Sequence, residues 1–149
     1  MATSTLLQTL DSSANEMGIS ASARRQTETF LAGAAIAAND LVALDLTKSA
    51  TADKALYVKA ADSTTGAGLV VVGFAINAAA AGDPCEVTIA GVHESANVVT
   101  VAAGDRLIVS STPGRAEKVT SGSETVPTIG YALAADAANI APVFVIKQF

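Results

Sequence analysis

Val72-Gly73-Phe74-Ala75-Ile76-Asn77-Ala78-Ala79 returns 57 residues later as Ile129-Gly130-Tyr131-Ala132-Leu133-Ala134-Ala135-Asp136. Each copy is an apolar run broken by glycine, followed by an aromatic residue and an alanine turn. The echo extends in both directions. Upstream, Ala38-Asn39-Asp40-Leu41-Val42 matches Ala103-Gly104-Asp105-Arg106-Leu107-Ile108 at an offset of 65. Downstream, Val87-Thr88-Ile89 matches Phe144-Val145-Ile146, again at 57, so the second copy is about eight residues shorter between its first two segments. Repeats of this length are supersecondary units that share a core. The repeated residues are apolar side chains, glycines and turn formers. The duplication therefore preserves shape, and none of these positions carries a catalytic residue type.

Outward from that stretch, the chain reads as short segments punctuated by Gly, Pro and Asp. Candidate strands cover 28–32, 41–46, 55–60, 68–76, 86–92, 97–101, 106–110, 116–119, 129–133 and 143–146. Each unit opens with a turn ending in Asp, then a strand, a hairpin of variable tip, a buried strand with Gly-Phe/Tyr-Ala, and a closing strand. The alanine clusters at 34–38 and 78–81 are too short to hold a stable helix and predict single turns. This texture predicts an all-β fold, a small barrel or sandwich built from two similar β units about a pseudo-two-fold axis. Residues 1–27 lack this texture and read as an extended N-terminal arm. Residues 28–149 read as one β domain, with the internal repeat at about 38–92 and 103–147. The scattered Leu6, Leu7, Leu10, Met17 and Ile19 suit a strap that orders on a partner.

Composition narrows the function. A chain of 149 residues suits one domain with a real core. Half of its residues are hydrophobic but only 4% are aromatic, with no Trp. A core of Ala, Val, Leu and Ile is thin, and such a subunit gains from burying more surface in an oligomer. Mean hydropathy is +0.43, which fits surface destined for contact with other subunits. The net charge of −5 and the single basic pair Arg24-Arg25 argue against nucleic acid. No leader-like segment opens the chain, and no apolar run is long enough for a membrane helix.

Candidate chemistry is sparse. His93 is the only histidine, beside Glu94, and reads as a solvated loop residue. Cys85 is the only cysteine and reads as a buried structural thiol, so a Cys85–His93 dyad is a remote reading. There is no Gly-x-Ser-x-Gly elbow, no paired metal-ligand spacing and no phosphate loop. Asp40, Asp83, Asp105 and Asp136 read as turn acids. Tyr57, Phe74, Tyr131 and the remaining Phe residues are assigned to strand cores, away from any stacking surface. The expectation is a protein that is not an enzyme and needs neither cofactor nor metal.

The stretch 28–42, from Glu28-Thr29-Phe30-Leu31-Ala32-Gly33 to Asn39-Asp40-Leu41-Val42, resembles the opening of head decoration (cement) proteins of tailed bacteriophages. Val72-Gly73-Phe74-Ala75, Ala80-Ala81-Gly82-Asp83-Pro84, Val87-Thr88-Ile89-Ala90-Gly91, Ala103-Gly104-Asp105 and Ile129-Gly130-Tyr131-Ala132 continue the likeness across residues 28–149. The resemblance implies a virion protein on the outer surface of an expanded head, a homotrimer that binds the major capsid protein, with no nucleic-acid or membrane partner. Leu6, Leu7, Leu10, Arg24, Arg25 and Phe30 are the candidate contacts to capsid or neighbouring subunits. A receptor- or carbohydrate-binding module of a fibre or adhesin is the alternative, and a small hydrolase or ligand-binding barrel a more distant one.

Overall fold

The structure is a computed structural model, and it describes residues 25–65, 70–120 and 126–147. The described residues form nine strands: β1 (Gln26–Ala32), β2 (Leu41–Leu44), β3 (Tyr57–Ala60), β4 (Val71–Ala75), β5 (Pro84–Val99), β6 (Arg106–Val109), β7 (Ala116–Lys118), β8 (Gly130–Ala132) and β9 (Ile140–Val145). One short helix, α1 (Thr51–Leu56), sits between β2 and β3. The fold is all-β and made of two similar units.

The units share β5. Strand order runs β1-β3-β2-β4-β5-β7-β6-β8-β9, with further pairings of β5 to β1 and to β9. Thus β1-β3-β2-β4 and the first half of β5 form a closed circuit of paired strands, and the second half of β5 with β7-β6-β8-β9 forms another. The pairing logic is the same in both. The opening strand lies parallel to the third and antiparallel to the fifth (β1 to β3 and β5; β5 to β7 and β9). The sequence left barrel or sandwich open; in the structure each unit closes on itself through β5.

Several local expectations are corrected. The separate strands predicted at 86–92 and 97–101 are one 16-residue strand, β5, with Gly91 at φ +89 and a register irregularity between His93 and Ala96. The polar His93-Glu94-Ser95 broke the alternation in sequence, yet they lie within the strand. The predicted strand at 55–60 begins only at Tyr57, because Thr51–Leu56 takes helical form at the hairpin tip with no residue buried. Ala79 is extended and bridges Ile36, where a helical turn was expected at 78–81. The third repeat match also shifts by one residue. Phe74 and Ala75 pair with Thr88 and Val87, and Tyr131 and Ala132 pair with Phe144 and Val143. The structural equivalents are therefore Val87 with Val143 and Thr88 with Phe144, an offset of 56.

Turn chemistry explains why both copies start alike. In the first unit the Asp40 carboxylate accepts the Ala37 N–H at 3.0 Å, and in the second Asp105 accepts the Ala102 N–H at 2.8 Å. The preceding residue is left-handed in each, Asn39 at φ +70 and Gly104 at φ +87. Asn and Gly are the residues that tolerate this region. The repeated glycines in β4 and β8 serve close approach. A Cβ on Gly73 would stand 1.9 Å from the Thr88 carbonyl oxygen, and one on Gly130 would stand 2.3 Å from that of Phe144.

The apolar residues divide into two clusters. One fills the first circuit, from Ala32 and Val42 through Val58, Val72 and Ala75 to Cys85 and Val87. The other fills the second circuit with Leu107, Val109, Ile129, Val143 and Val145, and runs on without a break to Leu41, Ala43, Val71 and Phe74 of the first unit. The outward face of the first unit is thus covered by the second.

Candidate interaction surface

The seam between the units is built by a loop and a histidine. The second unit's tip lies at the start of β2: Gly114 donates to the Ala61 carbonyl at 2.9 Å, and its own carbonyl accepts the Leu41 N–H at 2.7 Å. Ser63 donates to the Ser110 carbonyl at 3.1 Å. The Asn97 amide reaches the Asp40 carboxylate at 2.8 Å. His93 stacks on Phe74, with centroids 5.4 Å apart. Its Nδ1 is 3.0 Å from the Thr88 hydroxyl and its Nε2 is 3.3 Å from the Asn39 side-chain oxygen.

His93 is 3% exposed, which corrects its reading as a solvated loop residue. Burial, with a smaller contribution from the Arg25 cation, lowers its pKa to about 4. The imidazole is therefore neutral at pH 7. With Asn39 offering an acceptor, Nε2–H donates to it and Nδ1 accepts a hydrogen bond from the Thr88 hydroxyl. Both nitrogens are thus occupied by residues other than Cys85. Cys85 is fully buried in the first unit's core, as expected of a structural thiol. Burial, and then the Asp40 charge, raises its pKa and keeps it protonated. Asp45 is also buried. Burial acts to raise its pKa, but hydrogen bonds from the Thr47 hydroxyl and N–H and the Lys59 charge outweigh it, and the pKa is lowered. Among the described residues no group of three or more His, Cys, Asp or Glu could hold a metal ion.

The surface, by contrast, carries apolar side chains in two places. On the second unit, Tyr131 (42% exposed) and its cross-strand partner Phe144 (39%) stand beside Leu133. On the first unit, Leu46, Leu56 (52%) and Val70 surround the hairpin tip. The assignment of Tyr131 and the Phe residues to strand cores is therefore corrected: Phe74 is internal, Phe30 and Tyr57 are half-buried, and Tyr131 and Phe144 face outward. The sequence pattern did not show that the second unit's outward face has nothing of this chain's described residues over it.

The sequence-predicted contacts are scattered. Leu6, Leu7, Leu10 and Arg24 lie outside the described residues. Arg25 is exposed and lines an open groove of about 420 Å³ with Gln26, Ala90, Gly91, Phe144 and Val145. Phe30 is half-buried against the first unit's core and pairs with Cys85. The structure thus brings Arg25 to the edge of the Phe144 face and sets Phe30 apart in the first circuit.

No family model matches the chain, and no curated protein matches it. Among solved structures, the chain is similar to the N base of the head fibre protein gp8.5 of bacteriophage phi29. That likeness has a TM-score of 0.49 at 16% identity, covering 82% of this chain and 94% of the other.

Proposed function

We propose that this chain is a structural virion protein of a tailed bacteriophage, a decoration protein that binds the outer surface of the expanded head as a homotrimer and stabilises it. The observation that carries this reading is the exposed Tyr131–Leu133–Phe144 face on a scaffold whose buried polar side chains, His93 and Asp45 among the described residues, are committed to structural hydrogen bonds. The likeness of residues 28–149 to head decoration proteins supports it. The chain acts by binding rather than by catalysis. A protein that binds only the assembled shell stabilises it by mass action. A trimer that engages several capsid subunits at once adds avidity. The arm, through Leu6, Leu7, Leu10 and Arg24, is the proposed strap onto the major capsid protein, with Arg25 beside it.

The test is co-sedimentation with undecorated expanded heads, scored by pellet stoichiometry. Saturable binding at a fixed ratio to the major capsid protein is expected, and the full-length Leu6→Asp/Leu7→Asp/Leu10→Asp variant is expected not to pellet. Absence of wild-type binding, with the fold intact by circular dichroism, overturns the reading. The exposed Tyr131 and Phe144 would then favour a receptor- or carbohydrate-binding module, since such sites stack sugars on aromatic faces.

A further inference from the structure

The duplication supplies its own template for an intermolecular contact. Within the chain, the tip of the second unit (residues 110–115) docks at the start of β2, and the second unit covers the outward face of the first. The contact is one-way. A two-fold arrangement, as the sequence suggested, would also place the first unit's tip on the second unit's outward face, and that face is exposed. By strand register, Tyr131 occupies in the second unit the place of Phe74 in the first, and Phe144 that of Thr88. Phe74 and Thr88 are fully buried, whereas Tyr131 and Phe144 are 42% and 39% exposed. The loop equivalent to 110–115 is the first unit's own tip, residues 45–56. It presents Leu46 at 44% exposure in the turn after β2 and Leu56 at 52% at the end of a helix that buries nothing. Among the described residues the internal pattern therefore leaves one tip and one face without a counterpart, each carrying exposed apolar side chains.

We propose that copies of this chain associate head to tail, with the tip of one copy's first unit (Leu46, Leu56) seated on the outward face of the next copy's second unit (Tyr131, Leu133, Phe144). Within the chain the tip meets Leu41, the cross-strand neighbour of Phe74; between chains it would meet the equivalent edge of the second unit's face, at Arg106 beside Tyr131. A one-way interface of this kind generates a closed ring when its rotation closes and a filament when it does not. It supplies the surfaces for the self-association in the functional reading above. It does not depend on capsid binding.

The test uses the isolated full-length protein, so loss of head binding and loss of self-association are read separately. Molar mass is measured by light scattering and sedimentation velocity for the wild type, Leu56→Asp and Phe144→Asp. The wild type is expected as a ring of three or more copies or as a concentration-dependent series. Each variant is expected to fall to monomer mass, at least three-fold below the closed ring. An equimolar mixture of the two variants keeps one intact tip and one intact face, and is expected to form a 1:1 complex of twice the monomer mass and nothing larger. Both positions are solvent-exposed, and unchanged far-ultraviolet dichroism verifies the fold. Leu46→Asp and Tyr131→Asp form a second pair should either variant misfold. A monomeric wild type, variants that keep the wild-type mass, or a mixture that stays monomeric overturns the proposal.

Discussion

His93 should make folding stability depend on pH across a defined window. Its pKa is about 4 in the folded chain against an ordinary 6.5. Between those values the unfolded state binds a proton that the folded state excludes, so stability falls as pH falls. The contribution is intact above pH 6.5 and is lost progressively down to about pH 4. At about 1.4 kcal/mol per pH unit, acidification across the window removes about 3 kcal/mol. The physical cause is the seam itself: protonation would place a cation on the Phe74 ring, between Thr88 and Asn39, beside Arg25. The assay is urea unfolding of the wild type and His93→Gln at steps from pH 7.5 to 4. The carboxylates contribute equally to both proteins and cancel in the difference. The variant is expected to be the less stable at pH 7, with the two curves converging by about 3 kcal/mol towards pH 4. Because the chain has one histidine, its ring resonances are unambiguous in an NMR titration. Parallel unfolding curves, or a ring titrating near 6.5, would refute the buried neutral seam.

Three further outcomes are expected. Gly73→Ala forces a Cβ onto a backbone carbonyl that cannot yield, and should cost about 3 kcal/mol, or about 6–12 °C in Tm; Gly104→Ala, whose Cβ meets nothing within 4 Å, should cost only about 1–2 kcal/mol of left-handed strain, and thermal melts give the ranking. Asp40→Ala should exceed Asp105→Ala by about 1–2 kcal/mol in urea unfolding, because the Asp40 carboxylate also holds Asn97 across the seam. Cys85 should resist an aromatic disulfide reagent in the native protein and label at once in denaturant; rapid native labelling would contradict its burial and raised pKa.

Most of the fold was legible because turn chemistry and strand pattern are local. The Asn39-Asp40 and Gly104-Asp105 turns, the Gly73 and Gly130 strands and the buried Cys85 follow from residue type and spacing alone. Three features needed the third dimension. His93 sits in a polar tripeptide that reads as loop, but β5 continues through it because each half pairs with a different unit. The helix at 51–56 forms at an exposed tip, where good helix formers are free of any sheet partner. The one-residue shift between Thr88 and Phe144 was hidden because Val-Thr-Ile and Phe-Val-Ile both alternate acceptably in either register.

The exposed face was the least legible feature, and the reason lies in how the two copies have diverged. Inside each circuit equivalent positions keep their character: Val42 and Leu107, Val72 and Ile129, Val87 and Val143 are all buried. On the tips the roles persist while the chemistry changes. Asp45 pairs with Lys59 at 3.5 Å, and at the equivalent places Ser110 donates to Glu117 at 2.9 Å. Thr47 and Thr112 each donate a backbone N–H to that first residue, so the turn is common to both. The outward faces break this rule. Phe74 and Thr88 are sealed against the second unit, yet at the exposed counterparts Tyr131 keeps an aromatic ring and Phe144 replaces a threonine with one. A face left to water would gain from polar replacement, as the tips show that equivalent positions can change. Carrying two large aromatic side chains there, where removing the exposed two-fifths of each from water is worth roughly 1 kcal/mol, makes sense if assembly covers them.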